Sequence, residues 1–140
     1  MRTVRIAPIV LALALLLVAG CGSSAPKDPH ATYAPVPDAQ LFKQIRKLPG
    51  VVSADVSYKS DFNGTGYYGN VSVRHGIDQL GTLDRVFAIL WKGRPGVLPF
   101  SLEVDEPGKP LVNSLDLDLN SYADWVHRYG PQPGDGQPPD

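Results

Sequence analysis

Val51-Val52-Ser53-Ala54-Asp55-Val56-Ser57-Tyr58-Lys59 is the stretch on which the fold turns. Val52, Ala54, Val56 and Tyr58 alternate with Ser53, Asp55, Ser57 and Lys59. That period of two is expected of a strand with one dry face and one wet face. A strand in a doubly wound parallel sheet is covered on both sides and reads as apolar throughout. This one does not, so the stretch predicts a two-layer α+β arrangement in which helices cover a single side of the sheet.

The flanks extend the pattern. The turn-rich loop from Ser60 to Gly66 leads to a second strand, with Tyr67, Val71 and Val73 on one face and Tyr68, Asn70, Ser72 and Arg74 on the other. Upstream, Asp38 is placed to cap a helix whose Leu41, Ile45 and Leu48 share a stripe, with Phe42 beside them, before Pro49-Gly50 stops it. Downstream the unit repeats. Leu80, Leu83, Val86, Phe87, Leu90 and Trp91 form a helical stripe capped by Asp78 or Thr82, and Pro95-Gly96-Val97 echoes Pro49-Gly50-Val51. Leu98, Phe100, Leu102 and Val104 then alternate with Ser101, Glu103 and Asp105. After the turn at 106–110, Leu111, Leu115, Leu117 and Leu119 are interleaved with Ser114, Asp116 and Asp118, which reads as a fourth strand with Phe100 facing Leu115 or a same-face neighbour. A last helix opens at Asn120 or Ser121, carries Tyr122, Trp125, Val126 and Tyr129, and closes at Gly130-Pro131. The expected order is αββ-αββ-α: a four-stranded, mostly antiparallel sheet with helices on one face, ferredoxin-like with permuted ends.

The front of the chain is of another kind. Arg2 and Arg5 precede an apolar run from Ile6 to Val18, which ends at Val18-Ala19-Gly20-Cys21 and contains the sole cysteine at its end. The run is shorter than the about 20 residues that span a bilayer and fits the apolar core of a secretory signal. These residues resemble the lipobox of bacterial lipoproteins, and the Pro-rich segment after them is similar in style to that of small uncharacterised actinobacterial lipoproteins. The resemblance implies cleavage between Gly20 and Cys21, a diacylglycerol thioether on Cys21, and a cell-membrane anchor on the extracytoplasmic side. Residues 1–20 are then signal peptide and 21–37 the lipidated cysteine with a flexible tether. Residues 38–129 form the α+β domain, and 130–140, rich in Pro and Gly, a disordered tail.

Composition bounds the function. The formal charge is −1, and becomes −3 once Arg2 and Arg5 leave with the signal; no basic stripe invites nucleic acid. With Cys21 acylated no thiol remains for a disulfide or a zinc site, and His30, His75 and His127 have no metal-ligand spacing. Asp116-Leu117-Asp118-Leu119-Asn120 lacks the glycine and the final acid of a calcium loop. Gly64, Gly66 and Gly69 lead into a strand, so no helix N-terminus supports a phosphate. No serine sits on a nucleophile elbow. No cofactor is expected.

Two surfaces remain. Asp55, Lys59, Arg74, Glu103, Asp105, Asp116 and Asp118 collect on the wet sheet face, either as a solvated surface or as a platform for a partner. The loop carrying Phe62, Asn63, Tyr67 and Tyr68 sets aromatics among glycines; it either offers them to a ligand or folds Phe62 and Tyr67 back on the core. The expectation is a non-catalytic, membrane-anchored binding or accessory module for an envelope protein or glycan. The alternative is a small envelope hydrolase using sheet-face carboxylates such as Glu103 and Asp116.

Overall fold

The alternating stretch forms β1 (Val51–Asp61) and pairs antiparallel with β2 (Gly64–Val73), with Asp61 opposite Gly64. The computed structural model describes residues 33–139 apart from Asn63 and Phe100, so the readings of the signal, of Gly20 and Cys21, and of most of the tether lie outside the described residues. Before the hairpin stands α1 (Asp38–Ile45); after it come α2 (Gln79–Leu90), β3 (Ser101–Asp105), a 3-10 turn (Ser114–Leu117) and α3 (Tyr122–Tyr129). Strand order is β1-β2-β3, and β3 runs parallel to β2 with α2 as the crossover. Among the described residues the protein is α+β with a three-stranded mixed open sheet.

The register explains the two faces. Ala54, Val56 and Tyr58 lie opposite Val71, Gly69 and Tyr67, which in the case of Val71 and Gly69 lie beside Val104 and Leu102 of β3. This face buries Val56, Tyr67, Val71, Val73, Leu102 and Val104 against Leu41 and Ile45 of α1 and Leu83, Val86, Phe87 and Leu90 of α2. Each such aliphatic or aromatic side chain contributes about 1.5–3 kcal/mol by leaving water. Gly69, at the centre of the middle strand, has φ of 143°, and a Cβ there would collide with the carbonyl oxygen of Asp55. Only glycine allows β1 and β2 to close at this point.

Several expectations need correction. The fourth strand is absent among the described residues: Val112 alone bridges to Val104, and the chain then turns into the 3-10 segment. Asn113 accepts the Leu115 N–H and Asp116 accepts the Asn113 N–H, a reciprocal cap that outcompetes a ladder for the same backbone groups. Asp118 ends the turn in the left-handed region at φ 56°. Leu111 and Leu115 are consequently exposed, and Leu115 makes no core contact across a hairpin. Without that strand the ferredoxin-like order falls away. Val52, expected on the dry face, is 66% exposed, because a bulge between Val51 and Ser53 shifts the register. Helix α1 takes Pro37 as its N-cap, and Asp38 belongs to its first turn. Asp78, not Thr82, caps α2 by accepting the Gly81 N–H, and Ser121 caps α3.

The two segments read as tether and tail also differ within the described residues. Val36 donates its N–H to Lys92 O, and Tyr33 donates to Pro133 O. The tail folds over Trp91, whose indole Nε1 donates to Gly130 O at 2.9 Å, while Gly134 N donates to Trp91 O. Gln132 clamps the loop at 96–97 through Gly96 N and Val97 O. Pro133 and Gly134 are buried. The indole of Trp91 stacks on that of Trp125 at 5.8 Å, and its remaining polar edge needs the Gly130 carbonyl; a large aromatic at the end of α2 thus recruits a segment that composition alone marks as loose.

Candidate functional site

The wet face of the sheet has no layer over it among the described residues, since α1 and α2 both pack on the other side. Its side chains stand in rows across the strands. Ser57, Tyr68 and Ser101 form one row; Asp55, Asn70 and Glu103 the next; Ser53, Ser72 and Asp105 the last. Ser72 ties its row together by donating its hydroxyl to Asp105 Oδ1 at 2.8 Å. Neighbouring rows are about 7 Å apart and neighbouring strands about 4.8 Å, so the acceptors of the middle row stand next to the row of Tyr68.

Tyr68 is the centre of this surface. A Cβ at Gly66 would lie 3.6 Å from its ring, and one at Gly64 would lie 3.4 Å from its hydroxyl. The ring therefore lies along the strand over two residues that have no side chains. Side chains two apart share a face; at Gly66 a Cβ would meet the Leu98 carbonyl oxygen at 2.9 Å, so that glycine admits the close approach of the chain before β3, and the tyrosine ring lies in ordinary contact over both positions. Lys59, opposite Gly66, holds its ammonium 5.5 Å from the ring centroid. A half-buried aromatic laid along the strand with Lys59 beside it, and with Asp55, Asn70 and Glu103 in the row on the other side of its Cα, offers one π-face next to a polar row.

The aromatic loop divides. Tyr67 is fully buried: its hydroxyl donates to Asp38 Oδ1 at 3.0 Å and its ring meets Phe42 and Tyr58 edge-on. It belongs to the core and not to a ligand surface, which corrects its inclusion among the loop's binding residues. Phe62 projects fully into solvent. Asn63 lies outside the described residues. Ser57 and Ser101, paired with Tyr68 across the strands, and Asn70 in the next row do not stand out in the sequence as candidates. The signal that points to them is the spacing Gly64, Gly66, Tyr68.

The carboxylates do not converge. Asp116 is spent on the 3-10 cap, and Asp118 follows that turn, so neither stands on the sheet beside Glu103. Glu106, just past β3, is buried; it accepts from Gly76 N at 2.7 Å and lies 2.6 Å from Lys109 Nζ and 3.1 Å from His75 Nδ1. The Lys109 ammonium, then the Gly76 N–H, hold its carboxyl below the usual glutamate range. Such a carboxylate pins the β2–α2 loop and is not poised to donate a proton. A shallow cavity of about 300 Å³ is lined by Leu117, Asp118, Leu119, Asp124, His127 and Arg128. Asp124 there accepts from the Ser121 hydroxyl and backbone, which keeps its carboxyl low, and Arg128 is engaged with Asp84. Among the described residues no group of His, Cys, Asp and Glu could hold a metal ion, and no helix is long and apolar enough to cross a membrane.

Compared with known protein families, with curated proteins and with solved structures, the chain matches none.

Proposed function

We propose that this chain is a cell-envelope lipoprotein, anchored through acyl chains on Cys21, that acts as a non-catalytic binding module for an envelope protein or glycan. The anchor is supported by the order of Arg2 and Arg5, the short apolar run and Val18-Ala19-Gly20-Cys21. The binding role is carried by one observation, the uncovered sheet face in which the Tyr68 ring lies over Gly64 and Gly66 with Asp55, Asn70 and Glu103 in the adjoining row. Anchoring holds such a surface at high local concentration near envelope targets, which suits weak recognition. The hydrolase alternative has less behind it, because Asp116 is committed to a backbone cap and does not stand on the sheet beside Glu103.

A photocrosslinking side chain at Tyr68, used in intact cells, tests the binding reading. One dominant adduct that is lost when Asn70 is changed to Ala supports it, and its mass identifies the adduct as protein or glycan. A diffuse smear unchanged by Asn70→Ala refutes it. For the anchor, Cys21→Ala should move the protein out of the membrane fraction; unaltered retention refutes acylation.

A further inference from the structure

We infer that β1 is a self-association edge and that two copies of this chain pair antiparallel about Ser57, joining their sheets into one. The two sheet edges are unlike. The β3 edge is five residues long and already used: Val104 exchanges both backbone hydrogen bonds with Val112, and Gln79 Nε2 also donates to Val104 O. The β1 edge is eleven residues long, and no strand among the described residues pairs with its outer side. The hairpin closes on Asp61 opposite Gly64, and the Asp55 carbonyl lies against Gly69 of β2. Alternation then turns the backbone groups of Ala54, Val56, Tyr58 and Ser60 outward. An exposed run of that length is a template for another strand.

The occupant is chosen by complementarity. Only even-numbered residues present backbone groups at this edge, so even must meet even and odd must meet odd across a two-fold axis. Centred on Ser57, Asp55 of each copy faces Lys59 of the other, twice, on the wet face. Val56 faces Tyr58 on the dry face. Neighbouring registers lose this. Centred on Val56, Asp55 and Lys59 meet only serines; centred on Tyr58, Asp55 faces Asp61; centred on Lys59, the lysines face each other. Opposite charges directly across a strand pair stabilise and like charges destabilise. The edge is therefore self-complementary in one register. Its geometry does not depend on the state of Cys21.

Sedimentation equilibrium of the full chain in detergent, over nanomolar to high micromolar concentration, tests this. A reversible dimer is expected. Asp55→Lys and Lys59→Asp, each folded by circular dichroism, should each raise the dimer dissociation constant by about tenfold or more, and the double variant Asp55→Lys with Lys59→Asp should restore it. Under mild oxidation Ser57→Cys should give a disulfide-linked dimer, because a non-hydrogen-bonded pair on the axis brings its Cα atoms to about 4.5 Å. Ser101→Cys, on β3, should not, and the unsubstituted chain is the control for Cys21. A chain monomeric at every concentration, a double variant no better than either single one, or equal crosslinking through Ser101→Cys overturns the inference. So does capture of a different protein by Ser57→Cys on a monomeric chain.

Discussion

Asp38 and Asp84 receive the same partners, an arginine and a tyrosine hydroxyl, and differ in where they sit. Asp84 of α2 accepts Arg128 Nε on one oxygen at 2.9 Å and Nη2 on the other at 2.7 Å, with the Tyr129 hydroxyl at 2.6 Å. Asp38 of α1 takes both Arg94 nitrogens on a single oxygen, at 3.1 and 2.8 Å, and the Tyr67 hydroxyl on the other. Arg128 is 29% exposed and Arg94 51%. The first cluster fastens α3 to α2 from within; the second fastens α1 to the chain after α2 at the rim, with the Arg94 guanidinium 4.1 Å over Tyr58. Desolvation strengthens a forked, satisfied pair and makes its rupture costly, whereas water and salt discount the same groups at the surface.

The sharpest way to break this contrast is Asp84→Ala. It leaves Arg128 and Tyr129 without their acceptor and should cost about 3 kcal/mol in chemical denaturation. A cost no greater than that of Asp38→Ala would end the distinction. Tyr129→Phe removes only the neutral donor and should cost about 1–2 kcal/mol. The same tyrosine sharpens the contrast in alkali. Burial, and then the Asp84 carboxylate, push its hydroxyl well above the ordinary tyrosine value; burial and Asp38 do the same to Tyr67. The proton is held more tightly in the folded chain, so this stability is fully present below pH about 10 and declines as pH rises above it. Tyr129→Phe should flatten that decline in a pH series of thermal midpoints; an unchanged slope contradicts it. Asp38→Ala should lower the midpoint by no more than about 4 °C. The smallest effect is that of salt: 1 M NaCl should narrow the gap between wild type and Asp38→Ala while leaving that of Asp84→Ala nearly intact.

Local pattern makes part of this fold legible in the chain itself. The period of two in 51–59 locates β1 and its dry face, and the stripe Leu83, Val86, Phe87, Leu90 locates the core side of α2. Local pattern also misleads. The leucines of 111–119 have the same period, but Asn113 and Asp116 offer the backbone nearer partners than a neighbouring strand does. Val52 obeys the alternation and is turned out by a bulge. For the candidate surface, the glycines beside Tyr68 are visible in the sequence. Their effect is not, because it needs the register that pairs Ser57 and Ser101 with Tyr68 and sets Asn70 in the next row.

The sequence by itself determined where the strands of the hairpin lie, which side of each is dry, the apolar stripes of α2 and α3, and the lipobox-like order at the front, because these rest on interactions within a few residues. Tertiary structure alone decided that β3 lies parallel to β2, that the segment 130–134 closes over Trp91, that Tyr67 is core while Tyr68 is surface, and that Asp38 meets Arg94 and Asp84 meets Arg128. Those outcomes pair groups far apart in the chain, and their energies exist only once packing has removed the water between them.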